Sequence, residues 1–250
     1  MINAFLTALQ FLTIIRAAKG VDITEGNMGR SMACFPLVGL LLGLMLIAVR
    51  YGCGYILSPA LVDIFVITAL VVITGALHLD GFADTVDGLA GGKDREKTLA
   101  IMRDSRIGSF AVVGLVLFLT LKICALREMP PEIKNRALLL MPVLGRWSTV
   151  QLAVAFDYAR SGQGTGLAFS RFAGRREYLI ATLIAAAISV SLFRLQGLIV
   201  FFVIALFTLS LGVFFRRRLG GVTGDIMGAA CELSEAVTLL AIGVIYTLSI

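Results

Sequence analysis

Seven apolar runs, near residues 32–49, 61–78, 108–126, 137–156, 179–193, 198–215 and 233–250, alternate with polar stretches along the chain. Each approaches the roughly 20 residues that an α-helix needs to cross the hydrocarbon of a bilayer, several at the short end. An earlier run, residues 2–15, is too short to span. It places Asn3, Thr7, Gln10 and Thr13 at helical spacing, which predicts a shallow amphipathic or re-entrant helix. Between the second and third runs, the charges of 94–97 together with Leu99 and Met102 suit a short helix lying at the interface. The pattern predicts an all-α polytopic membrane protein. It has about seven transmembrane helices, an N-terminal amphipathic or re-entrant helix and a short interfacial helix.

Composition strengthens this reading. The chain is 58% hydrophobic and 15% charged, with a mean hydropathy of +0.94, whereas soluble domains carry about a quarter charged residues. Its 250 residues suit one bundle with no separate soluble unit, so 1–250 is read as a single integral-membrane domain. No basic region precedes residues 2–15, which argues against a cleavable secretory signal. The net charge of +6 is read through topology and anionic substrates before nucleic acid. Loops at 16–31, 79–107, 157–178 and 216–232 fall on one side and hold fifteen Lys and Arg; the opposite side holds five. The excess marks the cytoplasmic side. Cys34, Cys53, Cys124 and Cys231 have no paired spacing and read as packing residues. A single histidine rules out a histidine-rich metal site within one chain, and no Ser-His-Asp or Cys-His arrangement supports acyl-enzyme chemistry.

The polar stretch after the second run carries the most chemistry. At about 100° per residue, Asp80, Asp84 and Asp87 fall within roughly 60° of arc on one helix face. Like charges stacked this way repel, and a bound divalent cation is the partner that would hold them, since Mg²⁺ takes carboxylate oxygens and leaves room for water and phosphates. The plainer alternative is a helix end with solvated acids. A second acidic helix opens the last run: Asp225, Glu232 and Glu235 lie within about 80° on one face, and Gly228, Ala229 and Ala230 let another helix approach. Two such helices face to face could hold two divalent ions about 3.5–4 Å apart.

Other charges have two readings each. Asp104 and Arg106 close the interfacial helix, where they could reach the metal and a phosphate or simply be solvated. Arg146 lies mid-span and either holds a phosphate bidentately or pairs with a carboxylate of the bundle. Arg160 belongs to a glycine-rich loop, 157–166, whose backbone amides could approach phosphates or merely connect two spans. The reading from the residues is metal-dependent phosphoryl or nucleotidyl transfer at the cytoplasmic face. Buried acids and a mid-span arginine also fit a cation- or proton-coupled transporter, but the acids cluster at one face and no inverted repeat is evident. A purely structural scaffold leaves both acidic faces unexplained.

The runs His78-Leu79-Asp80-Gly81-Phe82-Ala83-Asp84-Thr85-Val86-Asp87-Gly88, Ile101-Met102-Arg103-Asp104-Ser105-Arg106-Ile107-Gly108 and Gly221-Val222-Thr223-Gly224-Asp225 through Glu232 closely resemble the cobalamin synthase family, adenosylcobinamide-GDP ribazoletransferase. Phe11-Leu12-Thr13, Phe35-Pro36-Leu37-Val38-Gly39 and Gly145-Arg146-Trp147 extend the likeness over nearly the whole chain. The resemblance implies a transferase that joins α-ribazole, or its 5′-phosphate, to the phosphate of adenosylcobinamide-GDP and releases GMP. It implies Mg²⁺, as two ions, held by Asp80, Asp84, Asp87, Asp225 and Glu232, with Asp104 and Glu235 as further candidates. Asp84, Asp87 and Arg106 are the expected catalytic residues, one carboxylate taking the proton of the ribazole hydroxyl; Arg106, Arg146 and Arg160 are the expected phosphate ligands. Membrane lipid, other enzymes of nucleotide-loop assembly and a second copy of the chain are the remaining candidate partners, with no nucleic acid. The cytoplasmic (inner) membrane, with the site facing inward, is the expected location. Asp84-Thr85-Val86-Asp87-Gly88 is also similar to the opening of the CDP-alcohol phosphotransferase motif, but Gly91-Gly92 stands where Ala-Arg should be, so that likeness supports only the metal logic.

Overall fold

In the computed structural model, residues 2–16, 24–160 and 165–248 are described; Lys19 and positions 161–164 of the glycine-rich loop lie outside them. The described residues form α1 (Ile2–Leu12), α2 (Glu25–Ser31), a 3-10 turn (Met32–Cys34), α3 (Phe35–Gly54), α4 (Pro59–Ile73), α5 (Leu77–Gly91) and α6 (Arg95–Ile101). They continue with α7 (Ser109–Arg127), α8 (Pro131–Ala155), α9 (Thr165–Phe172), α10 (Arg175–Leu219) and α11 (Gly224–Thr247). Five segments are long and apolar enough to cross a bilayer, or six if α4 and α5 count as one bent pair. The protein is an all-α, multi-pass membrane protein.

Local chemistry sets many helix starts. Pro36, Pro59 and Pro131 occupy first-turn positions of α3, α4 and α8, where a missing N–H costs nothing. Thr24, Asp94 and Thr223 cap α2, α6 and α11 by accepting from Asn27, Lys97 and Ile226 backbone N–H groups. Helix α8 is the axis of the bundle, buried along almost its whole length between α3, α10 and α11. As the sequence predicts, α1 is a short helix with one buried face (Thr7, Ala8, Leu9, Leu12), and α6 is a short helix beside the acidic stretch.

The 45 residues of α10 are two helices. Arg194 departs from helical geometry at φ 52°, ψ −130°. Trp147 of α8 touches both arms: its Nε1 donates to Thr182 Oγ1 at 3.0 Å, and its ring centroid lies 4.5 Å from that of Phe201. A straight helix would separate residues 182 and 201 by about 28 Å, so the chain doubles back at Arg194. The runs 179–193 and 198–215 are thus separate arms.

The run 61–78 departs from expectation. It is not one straight helix: α4 ends at Ile73, and α5 sets off at 91° to it. Gly75 (φ 59°) and Ala76 (φ 57°) both take left-handed conformations that stop the helix. Thr74 Oγ1 bonds back to the Leu70 carbonyl at 2.9 Å, and the Ile14 N–H, just beyond α1, satisfies the Ile73 carbonyl at 2.9 Å. The acidic stretch therefore begins a new helix instead of trailing from the end of a span.

Candidate active site

Helices α5 and α11 cross where both are stripped to glycine. A Cβ on Gly81 would lie 2.8 Å from the Asp225 carbonyl oxygen and 2.9 Å from its Cα; one on Gly228 would meet the His78 carbonyl at 3.2 Å. This close approach brings the α5 acids to the first turn of α11. Among the described residues, Asp84 lies within electrostatic range of Asp225, Asp80 and Asp87, with Arg160 as the opposing cation. Asp80 is exposed, while Asp84 and Asp225 are half-buried.

Arg160 reaches this point through a built loop. The 157–159 segment pairs with 221–223 as a single parallel bridge, Ala159 N–H to the Val222 carbonyl (2.8 Å) and Val222 N–H to the Asp157 carbonyl (2.9 Å). Arg95 of α6 ties the same loop down, donating to the carbonyls of Leu219 (2.7 Å) and Ala159 (3.0 Å). Arg218 donates to the Gly92 carbonyl at 3.0 Å. So anchored, Arg160 Nη2 donates to Asp225 Oδ2 at 2.6 Å, and its buried Nε has no partner among the described residues.

The other acids and arginines have different surroundings. Asp87 accepts from the backbone N–H groups of Gly108 (2.5 Å) and Ala111 (2.8 Å), so it caps α7 from outside. Asp104 and Arg106 form an exposed bidentate pair, Nε to Oδ1 at 2.9 Å and Nη2 to Oδ2 at 2.6 Å. Hydrogen bonds from Arg106 hold the Asp104 carboxyl down at about 2, and the pair raises Arg106 in turn. Neither side chain bonds to the α5 aspartates.

Glu232 and Glu235 do not join the aspartates at all. They share the angular face of Asp225 but lie about 10 and 15 Å further along α11, inside the bundle. There Lys122 of α7 donates to both, at 2.7 Å for Glu232, and Arg146 donates to Glu235. Two cations and two anions, all buried, compensate one another. The expectation that Glu232 and Glu235 ligate metal meets one Glu232 oxygen engaged by Lys122 and both Glu235 oxygens engaged by Lys122 and Arg146. The structure also sets Arg146 against a bundle carboxylate, the second of its two readings. Its Nε and Nη2 are buried without protein partners.

Among the described residues, no three His, Cys, Asp or Glu side chains converge closely enough to hold a metal ion. The cluster still fits Mg²⁺ in donor type and charge. Asp80, Asp84 and Asp225 are hard oxygen donors opposed by one arginine, and Mg²⁺ is commonly held by one or two carboxylates plus water and substrate phosphates.

Two residues were missed by sequence reasoning. Lys122 had a signal, a lone ammonium within the apolar run 108–126, which demands a buried anion. His78 is buried with Nδ1 unpartnered, at the wall of a cavity next to Asp80 and Asp225. Its only signal was adjacency to the acidic stretch.

These features define a multi-pass membrane protein with a cluster of acids and one arginine at one end of its bundle. Residues 4–243 match the family model described as cobalamin-5-phosphate synthase. The chain is 43% identical to the adenosylcobinamide-GDP ribazoletransferase of Geotalea daltonii, over 97% of this chain and 99% of that protein. Proteins of the same name from Acetivibrio thermocellus (36%, covering 96% of both chains) and Caldanaerobacter subterraneus (35%, 96% of this chain and 97% of the relative) are also similar. No solved structure matches the chain. The chain belongs to the cobalamin-5-phosphate synthase family and is an enzyme of the transferase class, which displaces the transporter reading.

Proposed function

We propose that this enzyme transfers the adenosylcobinamide phosphate group from adenosylcobinamide-GDP to α-ribazole or its 5′-phosphate, releasing GMP, at the cytoplasmic face of the inner membrane. The observation that carries the reading is the excess of carboxylate at the α5–α11 crossing, where among the described residues Asp80, Asp84 and Asp225 are opposed by Arg160. Uncompensated acids are costly near a membrane, and a substrate-linked cation relieves that cost. The three aspartates would hold Mg²⁺, which neutralises charge on phosphoryl oxygens when bound.

Arg160 contributes a guanidinium already oriented by Asp225, with its Nε–H unused and suited to a phosphoryl oxygen. A half-buried aspartate, Asp84, accepts the proton of the ribazole hydroxyl as that oxygen bonds to the cobinamide-bearing phosphorus. The bond from that phosphorus to the bridging oxygen breaks, and GMP leaves with the electron pair. Arginine- and lysine-rich loops at the site's end of the bundle support a cytoplasmic orientation.

Purified protein in liposomes, given adenosylcobinamide-GDP and α-ribazole with Mg²⁺ or with a chelator, tests the reading. GMP and the complete corrinoid should form together, in Mg²⁺ only. Asp84→Asn should lower turnover by roughly 100-fold or more with unchanged thermal unfolding. No product from folded protein, or full activity in Asp84→Asn, would overturn it.

A further inference from the structure

A cavity of about 240 Å³ lies between α1, α3, α5, α8, α9 and α11. Its lining includes the rings of Phe11, Phe35 and Phe169, with Phe169 edge-on to Phe11 at 4.7 Å and to Phe35 at 5.6 Å. Asp80, Asp225 and Thr149 line it as well. His78 is a further lining residue, 4% exposed.

We propose that this cavity seats the flat aromatic base of the acceptor nucleoside, with His78 hydrogen-bonded to the free ring nitrogen and the ribose at the aspartates. The inference rests on the proposed reaction. Size excludes the corrinoid: pockets for whole drug-sized ligands run from roughly 300 to 1,000 Å³, so this one suits a single small ring system. Hydrogen-bonding capacity excludes the guanine of the donor. Guanine presents several donors and acceptors along one edge; with Asp80 and Asp225 committed to the ribose and its cation, only Thr149 and His78 remain among the described lining side chains to meet them, and the phenyl rings leave most unpaired at high cost. The benzimidazole of α-ribazole, its other nitrogen bonded to ribose, needs one hydrogen bond. A ring N–H of His78 supplies one. Phenyl edges and faces suit the rest of the ring.

The test measures Kd for α-ribazole and for adenosylcobinamide-GDP separately, on detergent-purified protein without turnover. His78→Phe should weaken α-ribazole about tenfold, Phe169→Ala similarly, and neither should shift the donor's Kd. As a measurement independent of any variant, free 5,6-dimethylbenzimidazole should compete with α-ribazole on the wild type while guanosine does not. Donor affinity falling in the variants, or guanosine competing in place of the benzimidazole, would overturn the assignment. If wild-type protein binds neither substrate, the proposed reaction fails; if it turns over normally and the His78 and Phe169 variants bind α-ribazole as well as wild type does, only this seat fails.

Discussion

Asp225 and Glu232 stand two turns apart on the same side of α11, and they are treated in opposite ways. Glu232, with Glu235, is sealed in the bundle and matched cation for anion by Lys122 and Arg146. Asp225 is half-buried beside Asp80 and Asp84, with one arginine among three carboxylates. A balanced buried quartet fixes how helices α7, α8 and α11 pack. An unbalanced cluster at the bundle's end stores a demand for positive charge, which a substrate complex can meet. Compensation, more than the presence of acid, separates the buried quartet from the carboxylates proposed to react.

Unbalancing the quartet should have the largest effect. Lys122→Met leaves Glu232 and Glu235 with one cation between them and should cost about 3–5 kcal/mol, read as loss of folded protein in detergent melts. Adding Glu232→Gln should recover part of the loss, because the remaining Arg146–Glu235 pair is balanced. Next is the crossing that assembles the open cluster. Gly81→Val drives a side chain into the Asp225 backbone and should cost about 1–3 kcal/mol, with a larger proportional loss of turnover. Asp87→Ala removes the cap on α7 and should cost about 1 kcal/mol. A loss of activity far beyond that would return Asp87 to the metal set.

The smallest effect belongs to the exposed pair. Asp104→Asn should leave thermal unfolding at neutral pH unchanged. Because Arg106 depresses the Asp104 carboxyl to about 2, any contribution is present above its ordinary value of about 3.9 and is lost as pH falls through 2. Unfolding curves of variant and wild type should therefore differ by no more than the scatter of the measurement where that carboxyl is ionised, and coincide below about pH 2.

Periodicity made much of this legible. The short α1, the short α6, the common face of Asp80 and Asp84 and the close approach at Gly228 all follow from residue spacing. What spacing alone omitted was depth. Asp225, Glu232 and Glu235 share an angle, but the helical rise carries the glutamates into the bundle, where only the fold reveals Lys122 and Arg146 as partners. Asp87 escaped for a similar reason: its partners are backbone N–H groups on α7, invisible to any side-chain motif. The break at Gly75–Ala76 sat inside an uninterrupted hydrophobic run, so hydropathy smoothed over it.

That break has a consequence for the surrounding lipid. Fifteen residues of α4 rise only about 22 Å, short of the roughly 30 Å hydrocarbon slab, and α5 turns aside by 91° instead of completing the crossing. A bilayer spanned by this helix pair would have to thin or let water and headgroups dip inward, an elastic deformation whose cost depends on acyl-chain length. Membrane thickness would then act on the shape of the aspartate-bearing helix, and turnover in liposomes of short-chain lipid should exceed that in long-chain lipid.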